Sequence, residues 1–189
     1  EAELLAISVG FGQTTDKPFT EQIAEAVRWA VDNGADVINM SLTTNTPDWP
    51  ESWDQAFQYA YDKDVVIVVA AGNRGSGTTR VGAPATIPGV LVVGGVDRSG
   101  FASVEASTQG ITIGVAAASE QLLGVSADAS LVQWSGTSGA APIVSGVAAL
   151  VRAAHPELDA NNVLNRIVAT ATTAPGGDDP LLYGAGIVN

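Results

Sequence analysis

Three residues of this 189-residue sequence have types and surroundings that could do chemistry: Ser138, Asn73 and the single histidine, His155. Ser138 stands in Gly136-Thr137-Ser138-Gly139-Ala140-Ala141-Pro142, where a polar turn gives way to a helix. Small residues crowd it, so a substrate backbone can approach its hydroxyl closely. A hydroxyl at a helix N-terminus also lies in a field that favours negative charge. The simpler reading is that Thr137 and Ser138 only cap the helix. Asn73 closes Ala70-Ala71-Gly72-Asn73 at the end of an apolar run. It is either half of a turn, since glycine and asparagine tolerate positive φ, or an amide held over a cleft. Acyl transfer by serine needs a nucleophile, a base, a group orienting the base, and donors for the oxyanion. His155 does not serve as the base. It follows a helix of about 16 residues, or ~24 Å, beginning at Ser138, and reads as a helix-end residue favoured by the dipole.

The elements that must position these groups follow from periodicity. Leu4 to Val9 reads as a buried strand and Gly10 to Pro18 as a loop. A helix capped by Thr20 runs to about Asn33 and is stopped by Gly34. Val37 to Leu42 is a strand, Pro50 to Asp62 a helix, and Val65 to Ala71 a strand apolar on both faces. Such a run belongs in the middle of a parallel sheet covered by helices. Strands at Val90 to Val96 and Ile111 to Ala116 follow, then a hairpin with arms 122–125 and 130–134 leading to Ser138. The helix after Ser138 carries Ile143, Val144, Val147, Leu150 and Val151 on one face, and small residues elsewhere predict a helix buried all round. Pro142 is placed in its first turn. A last helix opens at Leu158-Asp159. Strands and helices alternating at this spacing make βαβ units, hence an α/β three-layer sandwich with a mostly parallel sheet.

The heptapeptide around Ser138 resembles the nucleophile motif of the subtilisin-like serine proteases, Gly-Thr-Ser-x-Ala-x-Pro, at every fixed position. Gly139 departs from the larger apolar residue usual there; glycine costs a helix about 1 kcal/mol and would loosen the presentation of Ser138. Residues 70–73 resemble the family's Ala-Ala-Gly-Asn segment. The resemblance makes Ser138 the nucleophile and Asn73 the oxyanion donor, partnered by the backbone N–H of Ser138. It assigns Ser41, Leu42, Thr43, Ala71, Gly72, Gly82 and Thr137 to substrate binding. Ser41-Leu42-Thr43 matches a Ser-Leu-Gly segment that pairs with the substrate backbone. A β-branched Thr43 in place of glycine narrows the specificity pocket. Val81-Gly82-Ala83-Pro84 matches the pocket floor, where Gly82 leaves depth, and implies a cis Ala83–Pro84 bond, a form taken by only about 5–6% of X–Pro bonds. Ala116-Ala117 stands where the family has Ala-Pro. Residues 144–152 and 166–171 most resemble actinobacterial members such as the mycosins.

The family's His-Gly-Thr-His and Asp-Thr-Gly segments are absent; in the family they precede the strand that residues 1–9 resemble. Residues 1–189 then correspond to the C-terminal part of one subtilisin-like peptidase domain, incomplete at its N-terminus. The expected function is a serine endopeptidase whose triad Asp and His come from a second, N-terminal polypeptide, this chain alone being inactive. The alternative is a degenerate or truncated protease fold that binds peptides or a partner. An ordinary α/β hydrolase is disfavoured by the lack of a Gly-x-Ser-x-Gly elbow. Substrates are peptides or proteins, and the family implies an extracellular or cell-envelope setting.

Composition narrows the remaining choices. Eight basic against 20 acidic residues give a net charge of −12, which repels nucleic acid. Apolar residues at 46% support a real core. No membrane span is read from the sequence, and no basic region followed by an apolar stretch marks a leader. Zero cysteines exclude disulfides. The family often binds calcium, but Asp178-Asp179 alone cannot supply 6–8 oxygens, so no metal and no cofactor is assigned.

Overall fold

A computed structural model describes residues 2–11 and 16–189. The middle part of the loop expected at 10–18 lies outside the described residues. Four parallel strands form the centre: β1 (Val37–Met40), β2 (Val66–Ala70), β3 (Leu91–Val96) and β4 (Ile113–Ala118), paired in that order. Helices α1 (Phe19–Asp32) and α2 (Glu51–Asp62) precede β1 and β2 respectively. A hairpin of β5 (Leu122–Val125) and β6 (Leu131–Trp134) leads to α3 (Thr137–Ala154), followed by α4 (Ala160–Ala169) and α5 (Pro180–Tyr183).

Alternation along β2 divides the core into two. Val65, Ile67 and Val69 pack with Ile23, Val27, Trp53 and Phe57 of α1 and α2. Val66, Val68 and Ala70 pack with Ala140, Val144 and Ala148 of α3 and Val163 and Ile167 of α4. All five residues of β2 are buried. The result is the expected three-layer α/β arrangement, with the carboxyl ends of β1 to β4 on one side. By length and composition α3 would also suit a membrane, but here it lies against β1, β2 and β3.

Several local expectations are corrected. Leu4–Val9 is not a strand. It carries no regular structure and is mostly exposed, with Leu4 at 90% and Val9 half-buried. A cavity of about 410 Å³ separates residues 7–9 and Phe11 from β1, so no ladder forms. Among the described residues Val9 packs against the core, Gly10 N donates to Gln22 Oε1 (2.8 Å) and Phe11 lies against Phe19. Helix α1 starts one residue before Thr20. Pro18 precedes it with no side-chain cap, its carbonyl accepting from Glu21 and Gln22. The fourth strand lies two residues later than expected, leaving Ile111 88% exposed.

Helix α3 is buried on one side only. Its small residues and Val144 meet the sheet, while Ile143 and Leu150 are 40% and 70% exposed. Pro142 is its sixth residue, beyond the first turn. Proline has no N–H to offer the carbonyl four residues back, which frees Ser138 O for another donor.

The hairpin explains Gly139. A Cβ there would collide with Leu122 Cδ1 and stand 3.1 Å from the Trp134 ring. Glycine therefore admits the hairpin against the start of α3, and the expectation of a loosened serine is replaced by one of close packing. Gly139→Leu is expected to displace the hairpin, not unfold the chain. Overpacking costs about 1–3 kcal/mol and is offset by about 1 kcal/mol of helix propensity. The indole N–H resonance of Trp134 should shift strongly while Tm moves by a few degrees; an unmoved resonance contradicts this packing.

At the hairpin tip Asp128 accepts from Ser126 Oγ, Ser130 Oγ and Ser130 N, and these bonds, Ser126 first, lower its pKa to about 2. The folded value lies below the ordinary one. The contribution is therefore present above the usual carboxylate range and is lost as pH falls through about 2. Carboxyl NMR titration should give a midpoint near 2; one near 4 would show the tip unformed.

Candidate active site

Open α/β sheets place their sites beyond the carboxyl ends of strands, and the expected residues converge there. Asn73 follows β2, Ser41 follows β1, and Thr137-Ser138 open α3. Thr137 is fully buried. Its N–H and Oγ1 both donate to Asn73 Oδ1 (2.8 Å each), and its Oγ1 accepts from Gly72 N (3.0 Å). With its oxygen fixed twice, the Asn73 carboxamide leaves Nδ2 unpartnered among the described residues and free to donate. Gly136 has φ 146°, and a Cβ there would stand 2.9 Å from Asn73 Nδ2. Glycine at 136 thus serves both the entry into α3 and the approach of this amide.

Ser138 is half-buried. Its hydroxyl donates to Ser41 O at 3.4 Å, a long bond that holds it weakly. Its N–H is the second of the helix, among those without intrahelical acceptors. The carbonyl freed by Pro142 accepts from Ser41 Oγ (2.9 Å). Ser41 Oγ accepts in turn from Asn39 Nδ2 (2.9 Å), and Asn39 Oδ1 accepts from Ser145 Oγ (3.1 Å). Ser41 therefore links the end of β1 to the backbone of the serine. Asn39 and Ser145 were not among the sequence candidates; an asparagine inside the apolar run VINM was the signal available.

The other expected residues are distributed less evenly. Leu42 packs against the core on the α1–α2 side. Ala71 is fully buried, its N–H on Val93 O (3.0 Å). Thr43 Cγ2 comes within 3.2 Å of where a Gly72 Cβ would stand. Above Gly82 there is no depth, because a Cβ there would collide with Thr44 O. The expected open floor is filled by the 44–46 segment. The Ala83–Pro84 bond is cis, as the sequence predicted.

His155 is far from the serine. It ends α3, its N–H bonded to Val151 O (2.8 Å) and its Nδ1 3.4 Å from Glu157. Among the described residues no cluster of three or more His, Cys, Asp or Glu side chains could hold a metal. Asp179 of the acidic pair caps α5 by accepting from Leu181 N (2.9 Å).

A serine at a helix start, an immobilised asparagine beside it and a parallel sheet beneath define a serine-peptidase scaffold of one kind: the chain belongs to the subtilase family (peptidase S8), which it matches over residues 1–186. Among its relatives, subtilisin DY of Bacillus licheniformis is 38% identical over 173 residues, covering 88% of this chain and 60% of that protein. Mycosin-4 of Mycobacterium tuberculosis is 37% identical over 205 residues, covering 92% of this chain and 45% of that protein. The structure of the prenylagaramide maturation protease PagA superposes with a TM-score of 0.83 at 30% identity, over 95% of this chain and 68% of that one. The resemblance to mycosins thus holds alongside that to subtilisins. The chain spans about half the length of the curated relatives it matches.

Proposed function

We propose that this chain carries the nucleophile and oxyanion hole of a serine endopeptidase and receives its histidine and aspartate from another polypeptide segment. The observation that carries the reading is the Asn73 carboxamide, its oxygen fixed twice by Thr137, the residue before Ser138, and its N–H end left without a partner among the described residues. Ser138 Oγ attacks the scissile carbonyl and passes its proton to the supplied imidazole. The oxyanion accepts from Asn73 Nδ2 and Ser138 N. Collapse releases the amine with that proton and leaves an acyl group on Oγ, which water then hydrolyses. The bond from Ser41 Oγ to Ser138 O holds the serine backbone in place through both steps. The substrate lies across Ser41–Thr43 as an added strand. Gly72 and Thr137 support the oxyanion side, and Ala71 and Gly82 back the cleft from below.

The uncovered surfaces support the borrowed base. Among the described residues Leu4, Leu5, Ile143 and Leu150 are exposed and β1 is an edge strand, and a covering polypeptide would bury them. The same reading places the protein outside the cell or in the cell envelope, by family resemblance. A fluorophosphonate should label Ser138 rapidly only when a polypeptide bearing the His-Gly-Thr-His segment is added. Full-rate labelling of the chain alone would refute the split triad, and no labelling in either case would refute the nucleophile.

A further inference from the structure

The cleft has walls close enough to select a substrate, and this inference rests on the reading above. With the reacting carbonyl carbon at Ser138 Oγ and its oxygen at Asn73 Nδ2, the acyl residue lies between two chain extensions. One is Ser41–Thr44 beyond β1, the other Ala71–Asn73 beyond β2. Its side chain must enter the gap between them. Thr43 Cγ2 stands 3.2 Å from the Gly72 Cβ position on one side of that gap, and Thr78 Cγ2, buried, stands 2.6 Å from it. The two methyl groups therefore take the space that a side chain at Gly72, which has φ 102°, would need. A planar ring needs roughly 7 Å, two van der Waals contacts of 3.5–4.0 Å, whereas the Thr43 methyl group already reaches within 3.2 Å of the Gly72 Cβ position.

The floor is no more accommodating. Thr44 O occupies the space a Gly82 side chain would take, with Thr46 O 3.1 Å from the same point. This segment is stapled in place. Thr44 N donates to Ala83 O and Ala83 N to Thr46 O, both at 2.8 Å, and Thr44 Oγ1 donates to Thr46 O at 2.9 Å. Opening the floor would break paired backbone bonds, so the closure belongs to the resting fold and is not a rotamer choice.

We propose that Thr43, backed by Thr78 and the Thr44 carbonyl, closes the primary specificity pocket, so that the residue acylating Ser138 is glycine or alanine. The test measures product binding, which needs no base. Acetyl-Ala-Ala-Pro-Ala and acetyl-Ala-Ala-Pro-Phe, as free acids, are titrated into the 189-residue chain by calorimetry. The same is done with Thr43→Gly and with Thr43→Ser, which removes only the methyl group. The wild-type chain should bind the Ala peptide at least about tenfold more tightly than the Phe peptide, in the range set by contacts of this size. Both variants should gain affinity for the Phe peptide. Equal or tighter binding of the Phe peptide by the wild-type chain overturns the closed pocket and leaves the nucleophile reading intact. An Ala preference unchanged in both variants overturns the role of Thr43. No binding of either peptide by any form overturns the cleft itself. The fluorophosphonate experiment is independent, so failure there does not touch this comparison.

Discussion

A Ser138→Ala chain, combined with a histidine-bearing polypeptide, is expected to lose essentially all hydrolysis and all fluorophosphonate labelling while keeping its fold. The expected loss, roughly 10⁶ in turnover, is taken over from removal of the nucleophile in subtilisin, a member of the same family. The structural part of the expectation comes from the site itself. Ser138 Oγ makes one long bond, 3.4 Å, to Ser41 O, so deleting it leaves no tight contact unpaired. The stabilising link from this residue runs through its carbonyl, which alanine retains. Stability should stay within about 0.5 kcal/mol of the parent. Denaturant unfolding monitored beside the labelling assay separates the two effects. Residual labelling of the alanine form would move the nucleophile to another residue.

Asn73 is expected to show a split between stability and turnover that depends on the substituent. Asn73→Ala removes the oxygen that satisfies both the N–H and the hydroxyl of fully buried Thr137. Groups left unpaired in this way cost about 1–3 kcal/mol, so Tm should fall as well as rate. Asn73→Asp keeps the accepting oxygen and replaces only the donor end with a second acceptor. The fold should hold, and turnover in the complemented enzyme should drop by ~10²–10³ or more. That scale is the one known for the oxyanion asparagine of subtilisin, again a member of this family. A carboxylate facing the developing oxyanion adds repulsion, so the loss should not be smaller than for a neutral replacement. Turnover unchanged in the aspartate form would remove Asn73 from the oxyanion hole.

What the sequence made legible was whatever buries itself on both faces. The run VVIVVAA favoured a central parallel strand, and the paired cores on either side of β2 follow from its alternation. The motif at 136–142 and Asn73 stand out in the sequence because both lie at element ends, and the structure brings them together. Leu4–Val9 was misread for the complementary reason. Its residues are as apolar as those of a strand, but a ladder needs a neighbour at hydrogen-bonding distance, and a cavity lies where that neighbour would be. Gly139 was misread because its reason lies in Leu122 and Trp134, residues brought to it by a hairpin whose docking no periodicity encodes. The pair Thr43 and Gly82 is a third case. Thr43 and Gly82 gave opposite expectations, narrow and deep, and only the position of Thr44 O decided between them.

The unpaired edge of β1 has a consequence for handling the protein. A row of free N–H and C=O groups is a template for another strand, and proteins ordinarily shorten, charge or cover such edges. β1 is short, four residues, and Asn39 interrupts its apolar run, but it carries no charge and no bulge. Leu4, Ile143 and Leu150 add exposed apolar surface elsewhere on the chain. Expressed by itself, the chain is open to edge-to-edge association as its concentration rises. A covering polypeptide would then act during folding as well as during catalysis, keeping the chain monomeric until the site is complete.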